Sequence, residues 1–325
     1  MSTMRAITVG ATGLELSQVP IPVPGPRQVL TRVRAAGLNR AELAMSAGRK
    51  HGGHGGAQTP IGLEWSGVVE AVGSEVTGVE IGQRVMCTGG GAYADFAVTD
   101  VTQALPIPEG LTFEVAASLP IALRTMHNAV VGLGVLKAGE SVLVHGASSG
   151  VGLIGMQVAR EMGAGLIIGT STNAGRRARL AEFGAHLAVD SREADWPARV
   201  LDATGGKGVD LVIDLVAGAT INKTMNATAI LGRIINNGRL AGDVDAFDFL
   251  LHATRRLTYI GSSFRTRTVP EIAAIVAAMQ ADLWPAVAAG RIALPIDAAF
   301  PMERAADAQA HMAANKHFGK IILTM

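Results

Sequence analysis

The chain has 325 residues, 49% of them hydrophobic and 17% charged. At about 150 residues per domain this is material for two well-cored domains, and it excludes a disordered chain. Twenty-eight Lys plus Arg against 27 Asp plus Glu give a net charge of +1, which offers no electrostatic footprint for nucleic acid or an anionic membrane. One cysteine, Cys87, excludes an intrachain disulfide framework and a cysteine-rich zinc site.

The N-terminus, MSTMRAITVG, carries one basic residue and no apolar run of roughly 7–15 residues, so no secretory signal is expected. Short β-branched runs at 4–9, 28–35, 65–72, 84–87 and 92–98 predict strands between Gly, Pro and polar clusters. The stretch 46–60 holds five glycines and two histidines and predicts a loop. From about residue 120 the pattern changes. Apolar runs at 141–144, 166–169, 186–189, 211–215, 233–236 and 257–260 alternate with helical periods at 151–162, 176–183, 196–203 and 220–230. That alternation predicts βαβ units and a doubly wound parallel sheet. The tail reads as one or two helices over 270–290, a strand at 292–295, a helix at 302–314 and a strand at 320–323. Its greasiest part, 272–289, is broken by Gln280, Asp282 and Pro285 and falls short of the 18 or so apolar residues of a membrane span. The expectation is a soluble, cytoplasmic α/β protein. The tail lacks βαβ alternation and is inferred to return to the first domain. This gives one domain from 1–122 and 266–325, and a second, inserted domain at 123–265.

The strongest local signal is SVLVHGASSGVGLIGMQVAR, residues 141–160. Ala147, Ser148, Ser149, Gly150, Val151 and Gly152 form a turn between a buried strand and an amphipathic helix. Gly150 and Gly152 let the backbone approach a pyrophosphate, and the amides of the helix N-terminus donate to it. An NAD site carries an acid about 20 residues further on, to bind the ribose 2′-hydroxyl. Here that place is Thr170 and Ser171, with no acid between Gly163 and Ala181. Arg176 and Arg177 follow instead. A 2′-phosphate is attracted by arginines and hydroxyls, so NADPH is the expected cofactor.

At this point the sequence resembles the medium-chain dehydrogenase/reductase superfamily, in particular its zinc-free, zeta-crystallin-like quinone oxidoreductase branch. The resemblance rests on GLNRAELAMSAGR (37–49), PIGLEWSGVVEAVGSEVTGVEIGQRVM (60–86), GGGAYADFAV (89–98), the 141–160 segment, FPMERAADAQAHM (300–312) and HFGKIIL (317–323), in the expected order along nearly the whole chain. It implies a GroES-like, partly open β-barrel domain with an inserted Rossmann domain, an active site in the cleft, and a homodimer that pairs sheets edge to edge near 257–260. The zinc alcohol dehydrogenases of the superfamily place a Cys where Asn39 stands and a His where Leu63 stands. This chain has neither, so no zinc is expected.

The resemblance places Asn39 near the nicotinamide, where its amide would donate to the substrate oxygen. It brings Thr125 to the nicotinamide amide, although Met126 replaces a small alanine and Arg124 is an unusual neighbour. Asn236 and Asn237, and then Ser262, Ser263 and Phe264, follow sheet strands where the family passes the cofactor. No tyrosine occupies the loop after the Asn-Arg segment. His51, with His54 beside it, is the candidate proton donor, and water is the alternative.

The expected activity is hydride transfer from NADPH to a small-molecule quinone or α,β-unsaturated carbonyl, with no nucleic-acid or membrane partner. One alternative is reduction of an enoyl thioester or a 2-haloacrylate-like acid, with Arg124 or Lys50 on an acidic group. Another is an NADPH-binding sensor without turnover.

Overall fold

In the computed structural model, which describes residues 2–11 and 13–325, the early period-two runs become strands. β1 (Thr3–Gly10) and β2 (Gly13–Pro20) pair as an antiparallel ribbon. β3 (Gln28–Gly37), α1 (Ala41–Ser46), β4 (Glu64–Val72), β5 (Arg84–Thr88), β6 (Phe96–Asp100), β7 (Ala104–Pro106) and α2 (Phe113–Ala117) follow. Next come α3 (Pro120–His127), β8 (Ser141–His145), α4 (Gly150–Glu161), β9 (Leu166–Thr170), α5 (Ala174–Ala178), β10 (Leu187–Val189) and α6 (Trp196–Ala203). β11 (Val209–Asp214), α7 (Ile221–Ala227), β12 (Thr228–Asn236), α8 (Phe249–Arg255) and β13 (Thr258–Gly261) complete that stretch. The tail forms α9 (Val269–Ala288), β14 (Ile296–Pro301), α10 (Ala305–Ala313) and β15 (Lys320–Thr324).

These elements make two compact units. One comprises Met1–Ile121, Phe264–Ala281 and Ala293–Met325; the other comprises Ala122–Ser263 and Asp282–Ile292. In the first, seven strands share a sheet in the order β14-β15-β3-β4-β5-β7, with β6 also on β3. β4 lies along one edge of β3. The other edge is shared, with β6 on residues 28–32 and β15 on residues 35–37, so β3 links both ends of the sheet. Its core holds Trp65, Tyr93, Met45 and Ile61, all fully buried.

In the second unit six parallel strands run in the order β10-β9-β8-β11-β12-β13. The order reverses between β8 and β11. In open α/β sheets that reversal marks where ligands bind, beyond the carboxyl ends of the strands. His145, Asp214, Asn236 and Gly261 lie in one register row at that end. Val142, Leu143, Val144, Ile167, Ile168, Val212 and Ile213 are fully buried. This is what a sheet covered on both faces requires.

Several elements depart from the sequence reading. The helix expected over 220–230 stops at Ala227, and β12 begins at Thr228, where the chain pairs with Val209 of β11. Ile230 and Leu231 are exposed at a register shift, with Leu231 at positive φ, so they offer no apolar helix face. The run 292–295 is not a strand. Pro295 lacks the N–H that a ladder needs, and pairing starts at Ile296. The helix at 176–183 is broken into α5 and a short 3₁₀ turn over Leu180–Phe183. The strand at 92–98 is confined to β6, and β2, β7, α2, α3 and α8 carried no clear periodicity. The tail is also divided differently, because 282–292 belongs to the sheet unit. There Asp282 bonds the buried His127 ring at 2.7 Å, and Arg291 pairs with Glu161. α9 is long and apolar enough to cross a membrane by length and composition. It carries a buried stripe of Val276, Met279, Leu283, Ala286 and Val287, the spacing of a helix packed along one face.

Candidate functional site

The glycine turn after β8 is built around its own hydrogen bonds. Ser149 caps α4: its hydroxyl accepts from the Gly152 amide (3.1 Å) and donates to the Gly146 carbonyl (2.9 Å). Gly146 sits at φ +87°, a conformation that favours glycine. A side chain at Gly152 would come within 2.7 Å of Ala147 Cα and of the Ala147 and Gly146 carbonyl oxygens. The turn is therefore a cradle with no room for a Cβ. Ala147 is buried and its amide donates to the Thr170 carbonyl (2.9 Å). Gly150 and Val151 open α4, leaving their amides at the start of a twelve-residue helix. Further along, Gly155 faces Met126 Sδ, which fills the space where its side chain would lie.

Thr170 and Ser171 stand beside this turn. Thr170 Oγ1 accepts from the Gly146 amide (3.0 Å) and shares a hydrogen bond with His145 Nδ1 (2.9 Å). Ser171 Oγ donates to Ser148 Oγ (2.8 Å). His145 is fully buried, stacked on Trp196 at 5.1 Å, and its other nitrogen meets Thr220 Oγ1. Burial holds its pKa below the usual imidazole value, although the Asp214 charge opposes the shift. Arg176 and Arg177 lie half-buried on α5. Arg177 donates to the Ser171 carbonyl (2.9 Å) and to Asp190 Oδ2 (3.0 Å). Asp190 and Arg192, the neighbours that complete this cluster, carried no sequence signal.

At the carboxyl ends of β11, β12 and β13, three buried polar atoms have no hydrogen-bond partner among the described residues: Asp214 Oδ2, Asn237 Nδ2 and Ser262 Oγ. Asp214 Oδ1 is used, accepting from the Val216 and Ala217 amides at 2.9 Å each. Asn236 is buried beside them and donates to the Gly238 carbonyl (3.3 Å). Ser263 is exposed at the end of the sheet unit, and Phe264 is half-buried at the start of the next stretch of the barrel unit, with Arg267 over its ring. Unpaired buried polar groups in a native fold call for an explanation, and three at the ends of neighbouring strands fit a polar ligand that supplies the missing partners. The cradle and these groups together fit a dinucleotide.

The barrel unit holds a second constellation, in which Asn39 is turned inward. Its Nδ2 donates to Glu64 Oε1 (2.9 Å) and lies 3.3 Å from both Glu42 Oε1 and the Gly37 carbonyl. Its Oδ1 accepts from Lys320 Nζ (2.9 Å). An ammonium only donates, which fixes this amide orientation. Lys320 also pairs with Glu64, and Glu64 Oε2 accepts from the Ile121 amide (2.8 Å). Glu42 receives the Tyr93 hydroxyl and the Asn39 and Leu63 amides. Its pKa is pushed up to about 7 by burial, which outweighs the bonds from Tyr93 and Asn39 and the Lys320 charge. Asn39 thus has internal acceptors for its amide hydrogens, rather than an N–H reserved for a substrate oxygen. Thr125 is half-buried on α3. His51 and His54 bridge each other through their backbones (2.9 and 3.2 Å), and a side chain at Gly90 would strike the His54 ring. Cys87 is buried, and burial pushes its thiol up to about 12, which makes it inert.

A mixed barrel-like sheet interrupted in sequence by a doubly wound dinucleotide-type unit defines a medium-chain dehydrogenase/reductase. The sequence matches the family models described as alcohol dehydrogenase GroES-like domain, over residues 25–109, and zinc-binding dehydrogenase, over residues 150–279. The quinone oxidoreductase of Rattus norvegicus is 32% identical over 331 residues, covering 99% of this chain and 98% of that protein. A stretch amounting to 14% of the mycocerosic acid synthase-like polyketide synthase of Mycobacterium tuberculosis is 33% identical over 304 residues, covering 92% of this chain. A solved mycobacterial structure complexed with NADPH has a TM-score of 0.87 at 28% identity, covering 99% of this chain and all of that one. The chain belongs to the medium-chain dehydrogenase/reductase superfamily, in its quinone oxidoreductase-like branch.

One family description names zinc. Among the described residues no group of three His, Cys, Asp or Glu side chains is placed to hold a metal ion. Glu64 faces the Asn39 amide and the Lys320 ammonium, and neither is a zinc ligand. The residues present do not fit zinc.

Proposed function

We propose that this protein is an NADPH-dependent reductase that delivers a hydride to a quinone or an α,β-unsaturated carbonyl without using a metal. The group of unpaired buried atoms at Asp214, Asn237 and Ser262, beside a glycine cradle at the sheet's switch point, carries this reading. Leaving one such group unsatisfied costs about 1–3 kcal/mol, so a bound partner recovers that energy. When bound, NADPH supplies the hydride. The amides of Gly150 and Val151 meet its pyrophosphate, while Gly152, whose amide caps onto Ser149, leaves room for it. Arg176 and Arg177 meet the 2′-phosphate, and Thr170, Ser171 and Ser148 shape the ribose end. Asn236, Asn237, Ser262, Ser263 and Phe264, with Thr125, serve the nicotinamide end. His51 supplies the proton from its loop. In this reading the enzyme is cytoplasmic and homodimeric. β13 at the sheet edge, with Tyr259 partly exposed and Phe249 and Leu250 exposed, supports edge pairing.

A second reading, reduction of an enoyl thioester or unsaturated acid, has one observation behind it. The segment bearing Arg49, Lys50 and His51 approaches that bearing Arg265, where Gly52 lies against the Arg265 backbone. Both readings are tested by NADPH and NADH oxidation with chelator-treated protein. The acceptors are benzoquinone, phenanthrenequinone, hexenal, chloroacrylate and a crotonyl thioester. Chelator-resistant turnover of the quinones or hexenal with NADPH supports the first reading, and preference for chloroacrylate or the crotonyl thioester supports the second. Activity lost to the chelator and restored by zinc overturns the metal-free mechanism. Binding without turnover by any acceptor marks a sensor.

A further inference from the structure

Asp190 is an acid one strand over from the end of β9, where a dinucleotide site of this type meets the adenosine ribose. It follows β10, whose Val189 is paired with Thr170 at the end of β9. An acid at the ribose ordinarily selects NADH, because a carboxylate accepts from the 2′-hydroxyl and repels a 2′-phosphate. Here the acid is consumed. Asp190 is 6% exposed. Its Oδ2 accepts from Arg177 (3.0 Å) and Arg192 (2.7 Å), and its Oδ1 accepts from Arg192 Nε (3.1 Å) and the Arg192 amide (3.0 Å). The Arg192 bonds, aided by the Arg177 charge, hold its pKa well below the usual carboxylate range, so it keeps its charge and its grip.

We propose that Asp190 is a positioning residue that holds Arg177 and Arg192 side by side as a two-guanidinium seat for the 2′-phosphate of NADPH, so that an acid serves here to select NADPH. This rests on the NADPH reading above and assigns Arg192 a contact that no local motif announces. Three observations carry it. Two guanidiniums share one carboxylate oxygen, so the seat is double, and a phosphate accepts from both. The triad carries a net positive charge after the acid is counted, and the nearby acids are already paired, Glu182 with Arg179 and Glu193 with Arg199. The seat is also tied to the cofactor turn through Arg177, the Ser171 carbonyl and the Ser171–Ser148 hydroxyl bond.

The test is a calorimetric titration of the full chain with NADPH and with NADH. Arg192→Gln is expected to weaken NADPH at least about tenfold, the loss of one charge-assisted hydrogen bond. NADH should stay within about twofold, and Arg192→Lys should restore most of the NADPH affinity. Arg192 has a side chain 65% exposed, so the variant should fold, and its thermal midpoint without cofactor provides the check. Asp190→Ser separates positioning from repulsion by sign. Positioning requires NADPH to bind more weakly, whereas simple repulsion requires it to bind more tightly. Tighter NADPH binding by Asp190→Ser, or an unchanged NADPH-to-NADH ratio in Arg192→Gln, overturns the proposal. If the unaltered protein binds NADH as tightly as NADPH, the NADPH reading itself fails.

Discussion

Glu42 gives the sharpest quantitative test of the buried cluster. Its carboxyl titrates near 7 in the folded chain against 4.5 as an ordinary glutamate, and burial is the main cause. At 1.36 kcal/mol per pH unit, that gap is about 3 kcal/mol. Below 4.5 both folded and unfolded chains hold the proton, and Glu42 contributes no pH dependence. Between 4.5 and 7 the unfolded chain has released the proton and the folded chain has not, so rising pH favours unfolding. Above 7 both are ionised and the full cost of burying the charge is present. Glu42→Gln carries no titrating group. Relative to the unaltered protein, it should gain about 3 kcal/mol between pH 4.5 and 7.5. For a unit of this size that is about 6–12 °C in the difference between the two thermal midpoints. The variant will begin from a lower baseline at acid pH, because a glutamine amide cannot accept from Tyr93 and the Asn39 and Leu63 amides as the carboxyl does. The readout is therefore the slope. Circular dichroism melts at half-unit pH intervals supply it, and parallel curves for the two proteins would refute the reasoning.

Three further substitutions test the cradle and the ion pair. Gly152→Ala puts a Cβ within 2.7 Å of backbone atoms that cannot yield without moving the turn; NADPH affinity should fall at least tenfold by calorimetry, and unchanged affinity would exclude this turn as the pyrophosphate site. Lys320→Met leaves the Glu64 charge buried without its cation, at a cost of about 3–5 kcal/mol; adding Glu64→Gln should recover most of that loss in a double-mutant cycle, and simple additivity of the two costs would show that the pair is not coupled.

The parts of this molecule legible in its sequence are those encoded locally. The glycine turn could be read because a strand, a cradle and a helix follow one another within twenty residues. The parallel sheet could be read because strands buried on both faces are written as unbroken apolar runs, such as 142–144 and 211–213. The 227–231 region misled because Ile230 and Leu231 continue a helical period in sequence yet stand exposed at a β-strand irregularity, where pairing of Thr228 with Val209 takes over. The Asp190 seat was missed for a related reason. The sequence shows only acids that follow the glycines along the chain, whereas the sheet brings Asp190 in from the neighbouring strand.

The cluster around Asn39 was illegible for a stronger reason, since it gathers positions 39, 42, 64, 93 and 320 from distant parts of the chain. The absence of the Cys and His of the zinc enzymes is visible in the sequence, but its physical consequence is not. Without a metal, and without Lys320, Glu64 would be a buried anion with two neutral donors among the described residues, the Ile121 and Asn39 amides. Lys320 answers that charge from the last strand, and Asn39 bridges the two, accepting from the ammonium while donating to the carboxylate. One ammonium cannot neutralise two carboxylates. Glu64 has the direct ion pair, and Glu42, served mainly by neutral donors, is the one held with its proton near neutral pH. The same substitutions that remove the metal ligands at Asn39 and Leu63 thus leave a site whose charge balance depends on a lysine and a proton.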